Sequence, residues 1–337
     1  MPDVAIAGFA KAPNVRETPG TTNGVEMLVP IFAEVFEKTG LSKQDIGFWC
    51  SGSSDYLAGR AFSFIAAVDA IGAFPPIHES HVEMDAAWAL YEAWLKIKMG
   101  EVETALVYGF GKSSAGQLRR VLALQLDPYV VTPLWPDSVS IAGIQARLGL
   151  EAGLWSEKDL AEVAARGTDQ DVSALLDTPY FADPLRRHDI APITDGAAVV
   201  ILSTVERARD VVDHPAVIQG IEHRVDSPVL GARDLTRSPS TEIAARALDL
   251  DGVDLAELHA PFTHQELILR TALKLDDDVR INPSGGALAA NPMFSAGLAR
   301  IGEAAARIHS GESRKAVAHA TSGPVLQQNL VTVLEAR

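Results

Sequence analysis

The sequence predicts a layered α/β protein assembled from two copies of one β-α-β-α-β unit. Three observations carry that expectation. Short apolar, strand-like runs alternate with amphipathic, helix-length stretches along the 337 residues. Three such runs in the first half recur in the second, in the same order and at offsets of about 210 residues. A block from 113 to about 190 has no counterpart and reads as an insertion into the first copy.

The elements follow in order. Val4-Ala5-Ile6-Ala7-Gly8 opens the first copy, and Val217-Ile218-Gln219-Gly220 opens the second. Asp45-Ile46-Gly47-Phe48-Trp49-Cys50 is matched by Asp254-Leu255-Ala256-Glu257-Leu258-His259. Thr104–Gly109 after Gly100-Glu101 is matched by Lys315–Ala320 after Gly311-Glu312. Between the first-half strands, 84–99 sets Ala87, Leu90, Trp94, Leu95 and Ile97 on one helical face, with Gly100 as a stop. Inside the insertion, 138–149 reads as a helix. Another begins at Ser156, with Asp159 three residues on, close to a capping box. Thr194–Leu202 returns the chain to the core. The expected organisation is a first half, 1–205, carrying a mostly helical loop domain at about 113–190, and a second half, 213–337.

Composition removes several classes. Acidic residues number 44 against 29 basic, a net charge of −15, and no basic stripe is long enough to displace counterions from nucleic acid. No apolar run approaches the ~18 residues of a bilayer span. The first residues lack the features of a leader peptide. One cysteine, Cys50, leaves no internal disulfide and no cysteine-based zinc cluster. The expectation is a soluble, cytoplasmic protein with no bound metal. Neither G-x-G-x-x-G nor a P-loop pattern is present.

Four segments narrow the reading: HVEMDAAWALYEAW, TDGAAVVILS, LHAPFTHQELIL, and NPSGGALAANPMFSAGLARIGE followed by HATSGPVLQQN. Together they resemble the thiolase superfamily, specifically its sterol-carrier-type, lipid-transfer branch, which includes sterol side-chain aldolases. The resemblance implies the thiolase fold: duplicated, layered α-β-α-β-α halves with an inserted helical loop domain. It also implies a tight homodimer or a heteromer with another thiolase-like chain. The ligand it implies is an acyl thioester of coenzyme A, with no cofactor held by this chain.

The sequence departs from the family where the chemistry lies. Ala86 stands where a thiolase carries its nucleophilic cysteine, and a methyl group cannot form an acyl-enzyme. Places of the second cysteine read Pro261 and His319-Ala320-Thr321-Ser322-Gly323. The Gly-His-Pro motif reads Ala290-Asn291-Pro292. His259, His319 and Asn291 remain as candidate catalytic groups: two imidazoles able to move a proton, and an amide able to donate to an oxyanion. By the duplication, both histidines are expected at C-terminal strand ends. Ser284, Gly285, Gly286, Gly323 and Tyr56 are candidates for holding the thioester or its pantetheine arm. His264, Asp85, Glu83 and a buried Cys50 read as structural.

These features leave two expectations. One is an aldol-lyase that cleaves a β-hydroxyacyl-CoA of a sterol or lipid side chain and, as in such relatives, depends on a small zinc-ribbon/OB-fold partner. The other is a non-catalytic subunit or an acyl-CoA-binding protein.

Overall fold

The computed structural model describes residues 1–19, 24–55 and 63–337. The first half contributes β1 (Val4–Lys11), α1 (Val25–Thr39), β2 (Phe48–Gly52), α2 (Ser63–Ile71), β3 (Glu79–Val82), α3 (Ala86–Lys98) and β4 (Thr104–Gly111). The inserted segment follows, with α4 (Leu118–Leu124), α5 (Ser138–Glu151), α6 (Glu157–Ala165), α7 (Val172–Leu176) and the short strands β5 (Tyr180–Ala182), β6 (Leu185–Arg186) and β7 (Ile193–Thr194). Strand β8 (Gly196–Thr204) and α8 (Val205–Ala208) close this part. The second half is β9 (Ala216–Val225), α9 (Pro239–Arg246), β10 (Leu255–Leu258), α10 (Thr263–Leu273), β11 (Arg280–Ile281), α11 (Gly286–Ala289), β12 (Asn291–Pro292), α12 (Ala296–His309), β13 (Lys315–Ser322) and β14 (Gln328–Ala336).

The sheet order, β11-β10-β13-β14-β9-β1-β8-β4-β2-β3, makes the duplication explicit. Outward from the central β9–β1 seam, both sides run two antiparallel pairings and then two parallel ones. The seam itself is short, with Ala5 opposite Val217 and Ile6 opposite Ala216.

Strand alternation then sets the layers, because successive side chains point to opposite faces. Ile6, Cys50, Val107, Val200, Leu255, Ala318 and Leu330 share one core with Ala87, Leu90 and Ala93 of α3 and Leu298, Ile301 and Ala305 of α12. The opposite faces pack outward. Trp49, Leu106, Tyr108 and Val199 meet Leu28, Ile31 and Phe32 of α1. Ala256, Leu258, Val317 and Val333 meet Ala244 of α9 and Ile268 and Leu269 of α10. Two central helices between two sheet halves, with a helical layer outside each, give the α-β-α-β-α stack.

The inserted segment is helical over α4–α7, as expected, but 180–186 folds back as a β-hairpin and β7 pairs in parallel with β12. Two local readings hold in detail. Ser156 caps α6, its hydroxyl and amide both donating to Asp159. Helix α3 spans 86–98, with Gly100 in the left-handed conformation beyond it. Among the described residues, no helix is long and apolar enough to cross a membrane.

Candidate functional site

The parallel strands β2, β3 and β4 end on one side of the sheet, and the N-terminus of α3 lies there. Its first residue is Ala86, fully buried. Three glycines permit this packing. A Cβ on Gly52 would come within 2.5 Å of Ala86 N, one on Gly109 within 2.6 Å of Ala86 Cβ, and one on Gly297 within 2.7 Å of Asp85 Oδ1. A helix N-terminus ordinarily offers unpaired N–H groups to an anion. Here they are engaged. Ala86 N donates to the carbonyl of Phe294 (2.9 Å), and Ala87 N donates to Asp85 Oδ1 (2.9 Å). Phe294 holds φ +68°, a conformation costly for a residue with a Cβ, and so carries strain into the loop that covers the helix end.

Asp85 also serves a second helix. Gly297 N donates to its Oδ2 (2.9 Å) and Leu298 N to its Oδ1 (3.0 Å), so one carboxylate, 4% exposed, caps both α3 and α12. Ser295, the N-cap residue of α12, makes no side-chain cap of its own. Two positive helix ends converge on one negative charge.

Beside this clasp, His259 follows directly on β10, and its Nε2 meets Asn291 Oδ1 at 2.9 Å. The proton inventory fixes the roles. Thr321 N–H points at His259 Nδ1 (3.4 Å), so Nδ1 accepts, Nε2 carries the hydrogen, and the Asn291 carbonyl oxygen receives it. That leaves the Asn291 NH2 as a donor. Asn291 is held by the β7–β12 ladder, opposite Ile193, with its N–H on the carbonyl of Pro192. Burial pushes the His259 pKa down, as does Arg300, while Asp85 and the Asn291 bond pull it up. The net direction is down, toward the neutral ring.

The remaining candidates are placed as follows. His319 is the fifth residue of β13, inside the strand and not at its end. It alternates with Val317 toward the outer layer, whereas Ala318 and Ala320 face the central one. Its Nε2 meets Asn329 Oδ1 at 2.9 Å, and burial pushes its pKa to about 3. The two rings thus have separate partners, although the strands set them side by side, with His259 N–H on the carbonyl of His319 (3.2 Å). Ser284 is bonded within the chain. Its hydroxyl donates to Glu257 Oε2 (2.6 Å) and accepts from Arg300 (2.5 Å), inside a buried ion cluster with Arg307. Gly285 and Gly286 supply positive φ angles of 89° and 60° for the turn into α11, and Gly323 (φ 74°) lies in the β13–β14 turn. Tyr56 lies outside the described residues. His264 is buried against Gln145 with a pKa of about 3. Cys50 is fully buried beside Glu92, and burial first and Glu92 second raise its thiol pKa far above the ordinary value.

Two clefts, of about 490 and 1010 Å³, lie elsewhere. The first is lined by Trp155, Arg166 and Leu267, the second by Arg246, Leu248 and Val279. Sequence reasoning put Ala86 at a helix start, where it lies, but missed the second helix that Asp85 caps, because Gly297 is over two hundred residues away in the chain.

No family model matches the sequence. The acetyl-CoA acetyltransferase of Methanothermobacter thermautotrophicus is 29% identical over 177 residues, covering 45% of this chain and 46% of that protein. The enzyme of the same name from Methanocaldococcus jannaschii is 27% identical over 158 residues, 38% of this chain and 40% of that one. The match thus spans less than half the length of these curated relatives.

Solved structures match throughout. The Bacillus anthracis acetyl-CoA acetyltransferase superposes with a TM-score of 0.80 at 16% identity, covering 100% of this chain and 99% of the other. An Ltp2–ChsH2(DUF35) aldolase gives 0.78 at 17% identity, covering 99% and 98%. Human mitochondrial 3-ketoacyl-CoA thiolase gives 0.78 at 14% identity, covering 100% and 99%. Identities this low establish the fold, which is the thiolase fold. The names of the sequence relatives, taken with it, support a place in the thiolase superfamily.

Proposed function

We propose that the protein acts on acyl-CoA thioesters without a nucleophilic cysteine, in retro-aldol cleavage of a β-hydroxyacyl-CoA from a sterol or lipid side chain. The observation that carries this reading is the closed α3 N-terminus with Ala86 at its head, next to an Asn291 amide that His259 leaves free to donate. Acyl transfer needs a nucleophile at the helix end. Retro-aldol chemistry needs donors at the thioester oxygen and a base at the β-hydroxyl. In that reaction the base takes the hydroxyl proton and the C–O bond becomes a carbonyl. The Cα–Cβ bond breaks, and its electrons pass into a thioester enolate. A proton returned to Cα completes the acyl-CoA product.

Asn291 is assigned to the enolate oxygen and His259 to holding it there. The base is assigned to a partner, because the Nε2 of His259 is spent as a donor. A small zinc-ribbon/OB-fold protein is the partner proposed, with a homodimer or a second thiolase-like chain completing the assembly. The Ltp2–ChsH2(DUF35) aldolase among the structural neighbours supports an assembly with a second protein. A second reading, a non-catalytic subunit of a thiolase or aldolase complex, is favoured by one observation: both N–H groups at the start of α3 are already bonded within the chain.

Co-purification from the native source, followed by calorimetry with CoA and a long-chain acyl-CoA, tests both. Acyl-CoA binding with ketone release by the complex supports the lyase. Binding or turnover only in a cysteine-bearing companion chain supports the subunit. Absence of acyl-CoA binding, alone and in the complex, refutes the acyl-thioester reading.

A further inference from the structure

The first turn of α10 is polar and buried. Thr263, His264, Gln265 and Glu266 are consecutive, and each is at most 2% exposed. All four are gripped by the inserted segment or its return to the core. Thr263 Oγ1 donates to Asp189 Oδ1 at 2.8 Å. His264 Nε2 and Gln265 Nε2 both reach Gln145 Oε1 of α5 at 3.0 Å. Arg166, which ends α6, donates through Nη1 to Glu266 Oε1 at 2.6 Å. A dock of buried polar groups bonded to one another, with only His264 Nδ1 among the four side chains left unpaired, fixes one arrangement, because any slip leaves several more of them without partners.

Glu266 faces two ways. Its Oε2 accepts from Asn282 Nδ2 (2.9 Å), and Asn282 Oδ1 in turn accepts from the backbone N–H of Leu258 (2.6 Å). Asn282 follows β11 directly and holds φ +49°, with its own N–H on the carbonyl of Ala256 (2.8 Å). Its side chain therefore extends the β10 ladder by one bond beyond the point where β11 stops. Leu258 is the residue before His259. A continuous line of charge-assisted and neutral hydrogen bonds runs from Arg166 to the backbone that carries the His259 ring.

We propose that Glu266 and Asn282 are positioning residues for His259, and through it for the Asn291 amide, and that Arg166 makes this position conditional on docking of the inserted segment. The functional meaning rests on the acyl-thioester reading; the geometry does not. Any ligand or partner that moves α6 is then felt at His259.

The test reads the ring itself. In ¹⁵N NMR of the whole protein, His259 shows one tautomer, protonated at Nε2. Arg166→Gln and Glu266→Gln are each expected to abolish that single-tautomer pattern and to speed hydrogen exchange of the Leu258 amide. Lys158→Gln, on the exposed side of the same helix and paired only with Glu162, leaves both unchanged. The Arg166 side chain is 35% exposed, so its variant tolerates the change and is the decisive one. A folded Arg166→Gln protein with the wild-type His259 pattern and Leu258 exchange overturns the proposal. A shifted His259 pattern in a protein that binds no acyl-CoA upholds the relay and sinks the acyl-thioester reading alone.

Discussion

Replacing Asp85 should destabilise the centre of the molecule out of proportion to its size. Its carboxylate accepts three backbone N–H bonds, one from α3 and two from α12, at 2.9–3.0 Å. Loss of one helix cap costs about 0.5–2 kcal/mol. A buried N–H left without a partner costs about 1–3 kcal/mol. Asp85→Ala removes both caps and strands the N–H groups of Gly297 and Leu298, which no other side chain caps. Allowing for relaxation, the loss is about 3–5 kcal/mol. In a chain of this size 1 kcal/mol corresponds to about 2 °C, so the unfolding midpoint should drop by roughly 6–10 °C in scanning calorimetry. Asp85→Asn keeps one acceptor oxygen, for Ala87 and Leu298, but turns an NH2 group toward Gly297 N–H and surrenders the charge that two helix ends share. It should fall between wild type and Asp85→Ala. The clasp is refuted if Asp85→Ala melts within about 2 °C of wild type, or if the two variants are equally unstable.

Other outcomes follow from the same geometry. Ala86→Cys should form no acetyl-enzyme with acetoacetyl-CoA by mass spectrometry, because Asp85 and the Phe294 carbonyl already occupy the field that would activate a thiol; a cysteine adduct would contradict this. In an assembled complex, Asn291→Ala should lower retro-aldol turnover by about 10²–10³, the usual cost of an oxyanion donor, and His259→Ala by less. His319→Ala should lower stability and leave turnover near wild type, and a large catalytic loss would return that ring to the site. Acid should also unfold the protein through its histidines. His264 and His319 have pKa values near 3 when folded, against about 6.5 unfolded. Below pH 6.5 the unfolded chain binds more protons, so stability is full above that pH and falls by about 1.4 kcal/mol per pH unit for each ring. Urea unfolding between pH 6.5 and 4.5, where unfolded carboxylates are still largely ionised, should show this slope, and His264→Gln should reduce it. A flat profile over that window would refute the burial argument.

Much of this architecture can be read from residue order. The repeat of apolar strands after Gly100 and Gly311 anticipates the duplicated sheet, and strand pairing reproduces it. Helix α3 was legible because its apolar spacing and glycine stop are local signals. The placement of His319 was not, although the clue was present: its repeat partner Tyr108 is also the fifth residue of an eight-residue strand, and both face an outer core. Period-two alternation with Val317 decides the face, whereas position near a motif does not. Asp85 could be assigned to one helix from its neighbours alone. Its second helix, and the grip of Gln145 and Arg166 on α10, join residues about a hundred or more positions apart, and no local pattern announces them.

The seam between β1 and β9 has a consequence for how the chain comes to be. Strand β1 is made about 200 residues ahead of its partners, β8, with Val4 opposite Thr204, and β9, with Ala5 opposite Val217. At ribosomal speeds of about 5–20 residues per second, a gap of about 200 residues is a delay of roughly 10–40 s. Throughout it, a strand whose side chains are almost all interior in the finished protein has neither ladder partner available. The newborn chain therefore carries a sticky, unpaired edge until β8 and β9 emerge, and quality-control factors that shield such edges should decide its yield as much as the final stability does.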